Sequence, residues 1–413
     1  MSVTPIHFDD LIALIDNTTQ SPVIRKEYVD LYHALGRVLA EPLVAKSDAP
    51  AFTNAAMDGY AWRTKDFEDY TGTSEVALPV QATITAGHSL TDPLPPRSCV
   101  RIMTGAELPP GFDCVVPIEK AHLGNGQLLI KPADHMRGEN VRFQGELYHA
   151  GDVLLDEGTR LTREALGLIA ANGIANVPCR LLRVALFASG DELLEPGTPS
   201  AHSGAIYNAN GIEMTLLVAE TGASPSYLGI LPDDPDTIRT KLLAAMVDHD
   251  VIVCSGGVGP GDHDYTAKIL SEFGEMHHFH VAMKPGKPFT YANLEGEHPV
   301  FFIGLPGNPV ATLTAGTFFM QRILSRLMKA PYKPQAVKAV LYGTPLMSKD
   351  GRTDFVRGRL FRGTDGTLMV QPAPVQSSAT LLACANTNAI IQITEHQTRI
   401  EVGESVEVIP THL

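Results

Sequence analysis

Between residues 180 and 330 the chain repeats one unit: a short apolar or β-branched run, a loop of unusual composition, then an amphipathic run at helical spacing. The run Arg183–Ala188 comes before a helix expected from about Gly211 to Ala219. Ser226–Leu231 comes before a helix with Ile238, Leu242 and Met246 on one face. Val251–Cys254 comes before another, with Tyr265, Ile269 and Phe273 on one face. After His278–Met283 and Val300–Ile303 follows a long helix ending near Met328. Strands alternating with helices require right-handed crossovers, and hence a doubly wound, mostly parallel sheet.

The flanking segments read differently. Up to about residue 50, Tyr28, Leu31, Tyr32, Leu35 and Leu39 recur at helical spacing, and Gly36 interrupts the run without ending it. From 51 to 144, short pieces such as Val100–Met103 and Asp113–Val116 lie between Pro and Gly punctuation, which predicts a β-rich insertion. A bridging helix, capped by Thr162, runs from Arg163 to Ala171 and stops at Gly173. From 330 onward, Val337–Tyr342, Asp354–Leu360, Leu368–Gln371, Ile390–Thr394 and Ser405–Ile409 predict a small all-β barrel. The whole is a multidomain α/β chain.

Charge and processing signals narrow the functional classes. With 32 Lys+Arg against 46 Asp+Glu, the net charge is −14. That balance argues against broad nucleic-acid or anionic-membrane binding, yet allows an anionic substrate held by a local nest of amides and lysines. The N-terminal residues carry neither a basic start nor an apolar core, so no signal peptide is expected. The most apolar stretch, Pro299–Met320, is broken at Gly304, Pro306, Gly307 and Pro309, which rules it out as a membrane span. Five cysteines, at 99, 114, 179, 254 and 384, form no Cys-x-x-Cys pair. This usage suits a reducing cytoplasm, not a disulfide framework or a structural zinc site, and Cys254 reads as a buried inert thiol.

In an open α/β sheet, ligands bind beyond the carboxyl ends of the strands. Five loops emerge there: Ser189-Gly190-Asp191-Glu192, Pro232-Asp233-Asp234, Ser255 through Asp264, Lys284-Pro285-Gly286-Lys287-Pro288 and Leu305-Pro306-Gly307-Asn308-Pro309. Glycines at 256, 257, 259 and 261 let backbone amides close on phosphate oxygens, with a helix start just beyond. Lys284 and Lys287 can neutralise a polyanion. Glu192, Asp233, Asp262 and Asp264 cannot all face phosphate without a cation between, so a hard metal such as Mg²⁺ is implied. The set suggests a nucleotide or pyrophosphate site. It matches neither G-x-G-x-x-G, because 262 is Asp, nor a P-loop, because no Gly-Lys-Ser/Thr follows. Blander readings stand beside these. The glycine loop also suits a tight strand–helix turn, Asp234 a helix start, Asn308-Pro309 an N-cap with Pro at the first helical position, and His277, His278 and His280 a strand surface.

At these residues the sequence resembles the MoeA family of molybdopterin molybdenumtransferases, similar to the E domain of gephyrin. The resemblance rests on Ser-Gly-Asp-Glu-Leu (189–193), Asp-Asp-Pro (233–235), Ser-Gly-Gly-Val (255–258), Asp-Tyr-Thr (264–266), Lys-Pro-Gly-Lys-Pro (284–288) and Gly-Leu-Pro-Gly-Asn-Pro (304–309). It extends to Met57-Asp58-Gly59-Tyr60-Ala61, Arg101-Ile102-Met103-Thr104-Gly105 and Asp354-Phe355-x-Arg357-Gly358, in family order over nearly the whole chain.

The resemblance implies a cytoplasmic homodimer of four-domain subunits. These are an elongated dimerisation domain (1–50 plus 145–179), an inserted β-rich domain (51–144), an α/β molybdopterin-binding domain (180–329) and a C-terminal β-barrel (330–413). It implies Mg-dependent insertion of molybdate into adenylated molybdopterin with release of AMP, the pterin being delivered by the adenylyltransferase of the same pathway. On that basis Asp264 and Glu192, with Asp233, hold Mg²⁺ or orient water. Lys284 and Lys287 stabilise phosphate charge, and Asp58 and Thr104 position the pterin end or molybdate across the dimer. Ser255, Gly256 and Gly257 cradle the AMP side, next to the Pro306, Asn308 and Pro309 loop.

Three positions depart from the family pattern: Leu147 where an Asp is usual, His280 where many members carry Lys, and Gly257-Val258-Gly259-Pro260-Gly261 for Gly-Val-Ser-Val-Gly. They leave room for a divergent paralogue acting as a nucleotide or pyrophosphate hydrolase or a binding scaffold, or for another oxyanion such as tungstate.

Overall fold

The computed structural model describes residues 4–19, 25–199, 203–258, 264–332, 334–378 and 381–411. The chain forms two compact units. One comprises Met1–Glu41, Glu157–Gly167 and Ala175–Leu413; the other comprises Pro42–Asp156 and Leu168–Ile174.

The larger unit is built on a six-stranded sheet in the order Ser224–Leu231, Arg183–Ser189, Val251–Ser255, Val300–Leu305, Pro288–Leu294, Met276–His280. The first four are parallel. The last two join antiparallel, through Pro288–Leu294. Two reversals return the edge strand Met276–His280 to the common direction, so all five loops still leave from the carboxyl edge. Pro288–Leu294 was absent from the sequence reading, and the strand expected at His278–Met283 lies at Met276–His280.

Alternation along the strands shows why the sheet is covered on both faces. Val184, Leu186, Val251 and Val253 share a core with Met214, Leu217 and Val218 of helix Asn210–Glu220 and with Phe319 and Ile323. The intervening Ala185, Phe187, Ile252 and Cys254 join Ile238, Leu242 and Met246 of helix Pro235–Asp248 on the other face. A period of two thus sorts each strand's side chains between two helical layers. The predicted face of Ile238, Leu242 and Met246 is the buried one. Helix Tyr265–Leu270 is shorter than expected and ends before Phe273. The long helix reads as Pro309–Ala315, a π-helical turn Gly316–Met320 and Gln321–Leu327. A Cβ on Gly316 would meet Leu217 at 2.7 Å, so helix Asn210–Glu220 packs closely on this turn.

The N-terminal reading is corrected. Tyr28–Leu39 is not a helix: Arg25–Asp30 is a strand antiparallel to Asn176–Leu181, followed by a 3₁₀ turn at Leu31–His33. Asp30 Oδ1 accepts from Tyr32 N at 3.0 Å and Gly36 has φ +77, so the backbone is turned away from a helical course. Tyr28, Tyr32 and Leu35 are exposed; of the supposed apolar stripe only Leu39 is buried in a core. The α-helix of this segment lies earlier, at Phe8–Thr18, with Phe8, Leu11 and Ile15 buried.

Thr353–Arg362, Leu368–Pro372, Val337–Leu341, Ser405–Pro410 and Ala389–Ile393 close into a five-stranded barrel, the last strand pairing back onto the first. The short strand Met283–Lys284 adds to it in parallel, opposite Thr353 and Asp354. The smaller unit carries its own six-stranded sheet, in which Gly59–Trp62 lies between Cys114–Pro117 and Cys99–Ile102. Helix Arg163–Ala171 has the predicted start, Thr162 Oγ1 accepting from Ala165 N at 3.2 Å. No helix among the described residues is long and apolar enough to cross a membrane.

Candidate active site

Three of the carboxyl-edge loops interlock through glycine. Gly256 has φ +80, and a Cβ there would stand 2.7 Å from Ser189 O; its Cα faces the Cβ position of Gly307 at 3.6 Å. Gly257, with φ +62, would meet Ser189 Oγ at 2.8 Å. At Gly256 the backbones thus approach each other directly, while at Gly257 the left-handed backbone and the Ser189 side chain together favour glycine. Gly256 N donates to Leu305 O at 3.1 Å. Asn210, which the sequence reading missed, fastens the same loops: its Nδ2 donates to Ser255 Oγ at 3.1 Å and to Gly307 O at 2.8 Å. Asn210 is 4% exposed, and its Oδ1 is buried with no hydrogen-bond partner.

The first and second loops are joined as well. Asp191 Oδ1 accepts the backbone N–H of Asp233 at 2.9 Å, and the Glu192 carboxylate folds over Gly190, whose Cβ position lies 2.5 Å from its Oε2. Asp234 is the N-cap of helix Pro235–Asp248, accepting from Thr237 N at 2.9 Å. That bond holds its carboxyl below the usual range and supports the structural reading of this residue. Asp264 occupies the N-cap position of helix Tyr265–Leu270 without capping it through its side chain. Glycines 259 and 261 and Asp262 lie outside the described residues. The triple Glu192, Asp233 and Asp264 is not among the carboxylate groups converging within 4.8 Å.

The cationic turn lines a pocket of about 660 Å³ together with Pro306, Gly307 and Asn308. Lys284 and Lys287 are exposed at its rim, while Pro285 and Gly286 are buried beneath them. Gly286 has φ +103 and abuts Ala311 and Ala315, which sets the turn against helix Pro309–Ala315. The barrel contributes Arg352 and Ser378, neither of which stood out in the sequence. Arg352 forms a two-pronged pair with Asp354, at 2.6 and 2.9 Å, and Asn308 Nδ2 lies 3.5 Å from Ser378 Oγ. Asn308 holds the N-cap position and Pro309 the first turn, yet the Asn308 side chain makes no capping bond.

Lys284, Lys287, Pro306 and Asn308 therefore share one crevice. Ser255 and Gly256 adjoin it through Gly307, and Pro309 starts the helix behind it. The three histidines lie on the edge strand, partly buried; His278 Nδ1 is 3.0 Å from Thr290 Oγ1, and burial lowers its pKa. Cys254 is the buried thiol expected, pushed up to about 12 by burial. In the smaller unit, Asp58 Oδ1 accepts both the backbone N–H and the hydroxyl of Thr104, at 2.7 and 2.6 Å. These bonds lower the Asp58 carboxyl and fix two exposed loops to each other.

A doubly wound sheet whose carboxyl edge carries lysines, carboxylates and glycine-packed loops has the layout of an α/β ligand-binding enzyme domain. Comparison with known proteins specifies it. Residues 6–173 match the MoeA N-terminal region (domain I and II), 185–326 a probable molybdopterin binding domain, and 339–411 the MoeA C-terminal region (domain IV). The molybdopterin molybdenumtransferase of Haemophilus influenzae is 34% identical over 93% of each chain. That of Nostoc sp. is 35% identical, over 93% of this chain and 88% of the relative. Two crystal structures of the molybdopterin biosynthesis MoeA protein from Pyrococcus horikoshii match with TM-scores of 0.80 and 0.77, at 25% and 29% identity. They cover 98% and 99% of this chain, and all of theirs. The chain belongs to the MoeA family of enzymes, which act in molybdenum cofactor biosynthesis.

Proposed function

We propose that this chain inserts molybdate into adenylated molybdopterin, releasing AMP and leaving molybdenum on the pterin dithiolene. The observation that carries the reading is the crevice of about 660 Å³ in which Lys284, Lys287 and Arg352 stand beside the Pro306-Gly307-Asn308 loop. A tetrahedral oxyanion or a diphosphate needs such clustered cations with hydroxyl and amide donors around them.

Lys284 and Lys287 attract the dianion and offset charge that develops on the oxygens during transfer. Ser378 Oγ and Asn308 Nδ2 supply directional donors. Ser255, Gly256 and Gly257, where the absence of bulky side chains lets a ligand come close to the backbone, cradle the AMP side. Glu192, Asp233 and Asp264 supply only hard oxygen donors, the chemistry Mg²⁺ prefers; they do not all converge within 4.8 Å, so substrate phosphates would have to complete the cation's coordination. When bound, Mg²⁺ would neutralise phosphoanhydride charge. Asp264 and Glu192 also orient the water whose oxygen joins phosphorus as the phosphoanhydride P–O bond breaks.

Asp58 and Thr104 position the pterin end or molybdate. In a homodimer they would do so for the sheet of the second chain, and the exposed Tyr28, Tyr32 and Leu35 offer apolar surface for such pairing. The four-domain division and a cytoplasmic setting, with delivery of the pterin by the pathway's adenylyltransferase, belong to the same reading.

The decisive measurement is AMP release by the purified protein from adenylated molybdopterin, with and without molybdate and Mg²⁺. Release that depends on both supports the reading, and Asp264→Asn abolishes it while the protein stays folded. Hydrolysis of free dinucleotides or pyrophosphates in the absence of any pterin would replace it with the hydrolase reading.

A further inference from the structure

The smaller unit holds a cluster that the molybdenum chemistry does not use. Cys114, the first residue of strand Cys114–Pro117, stands with His135 and Glu139, one ligand atom from each lying within 4.8 Å of the other two. Three backbone features assemble it. Cys114 lies directly opposite Trp62 in the sheet. His135 follows the 3₁₀ turn Pro132–Asp134, its N–H donating to Pro132 O at 3.2 Å. Val115 N donates to Glu139 O at 2.9 Å, which draws the Glu139 backbone against the start of the strand. His135 Nδ1 and Glu139 Oε2 are 2.9 Å apart, and the two side chains are only 18% and 34% exposed.

A second observation points the same way. Trp62 is 1% exposed, and its Nε1–H is buried without a hydrogen-bond partner. It lies beside Cys114, its partner across the sheet, so an orphaned buried donor and a ligand-bearing side chain meet at this spot. The indole also meets the His135 ring edge to face, with centroids 6.0 Å apart.

We propose that Cys114, His135 and Glu139 form a binding site for a borderline-soft divalent cation of the zinc class. A thiolate, an imidazole nitrogen and a carboxylate are the donors such an ion selects over Mg²⁺. Thiolate and carboxylate together cancel the two positive charges, so the occupied site is electrically neutral in its apolar surroundings. Binding exchanges the Cys114 Sγ–H bond for an Sγ–metal bond, and the proton passes to solvent. The partly exposed side of His135 and Glu139 leaves a fourth position open to water. The cysteine spacing could not reveal this site: it uses a single cysteine and two residues of a separate turn.

The experiment uses the full chain, reduced and treated with chelator, titrated with Co²⁺ and then Zn²⁺. The wild-type protein is expected to take up one equivalent of Co²⁺ with a thiolate-to-cobalt charge-transfer band. Its fluorescence should be quenched in parallel, because Trp62 is the chain's single tryptophan. Zn²⁺ should displace the cobalt and raise the melting temperature. His135→Gln, at a partly exposed position, should weaken cobalt binding more than about tenfold with an unchanged melting temperature in chelator. Cys114→Ser should abolish the band, and Cys99→Ser should keep it. Absence of the band and of quenching in the wild-type protein would overturn the proposal, as would a band that survives in Cys114→Ser. AMP release plays no part in this test, so its outcome is independent of the reading given above.

Discussion

Asn210 Nδ2 lies 3.1 Å from Ser255 Oγ, and the same nitrogen reaches Gly307 O at 2.8 Å. One amide thereby ties the end of a central strand to the loop that lines the cationic crevice. Both bonds are of ordinary length and the residue is almost fully buried, so its removal leaves a carbonyl and a hydroxyl without that donor.

Asn210→Ala should therefore cost about 1–3 kcal/mol of stability. Because the clamp sets the distance between the Ser255 and Gly307 loops, kcat/KM for AMP release should fall by roughly tenfold or more beyond what the stability loss explains. Chemical denaturation alongside steady-state kinetics separates the two. Full activity in a folded Asn210→Ala protein would remove the positioning role.

Gly256 and Gly307 should respond differently to the same substitution. A Cβ at 256 meets Ser189 O at 2.7 Å on a backbone with φ +80; one at 307 meets nothing nearer than 3.6 Å. Gly256→Ala is expected to lose about 2–4 kcal/mol, and Gly307→Ala under about 1 kcal/mol. Thermal unfolding of the two variants gives the comparison.

Lys284 and Lys287 are exposed, so replacing either with Ala should leave the melting temperature within about 2 °C of wild type. The apparent KM for molybdate should rise roughly tenfold for each, and added salt should raise the wild-type KM more than the variants'. A variant with unchanged molybdate dependence would take that lysine out of the oxyanion site.

Burial pushes the Glu213 carboxyl up to about 8, and its Oε2 has no hydrogen-bond partner. The folded chain thus favours the protonated form. The associated stability is fully present below about 4.5, the unfolded value, and is lost progressively as pH rises to about 8. Glu213→Gln removes this slope. It should match the wild type near pH 4 and exceed it by on the order of 2–4 kcal/mol above pH 8. Melting curves across that range test the sign as well as the size.

The strands of the α/β sheet and barrel were legible because their side chains alternate or run continuously apolar, and the five loops because their residue types are uncommon together. Tyr28–Leu39 shows where spacing misleads: its apolar residues fall at helical intervals, yet three face solvent beside a strand. Pro288–Leu294 was hidden by the Lys-Pro turn that leads straight into it. Asn210, Arg352 and Ser378 reach the crevice only through tertiary placement, which no local pattern encodes. Arg352 arrives because Lys284 pairs with Asp354 across the barrel edge. The Cys114 cluster depends on a cross-strand neighbour and a distant turn, and left no periodic trace.

The pairing of Met283–Lys284 with Thr353–Asp354 gives the C-terminal barrel a direct hold on the cationic turn. A shortened protein ending near residue 330 would keep every loop of the α/β sheet in its sequence, yet forfeit the strand against which Lys284 is aligned. Damage to the barrel, even by a one-residue slip of Thr353–Arg362, would thus register as a defect in anion handling and not merely in folding.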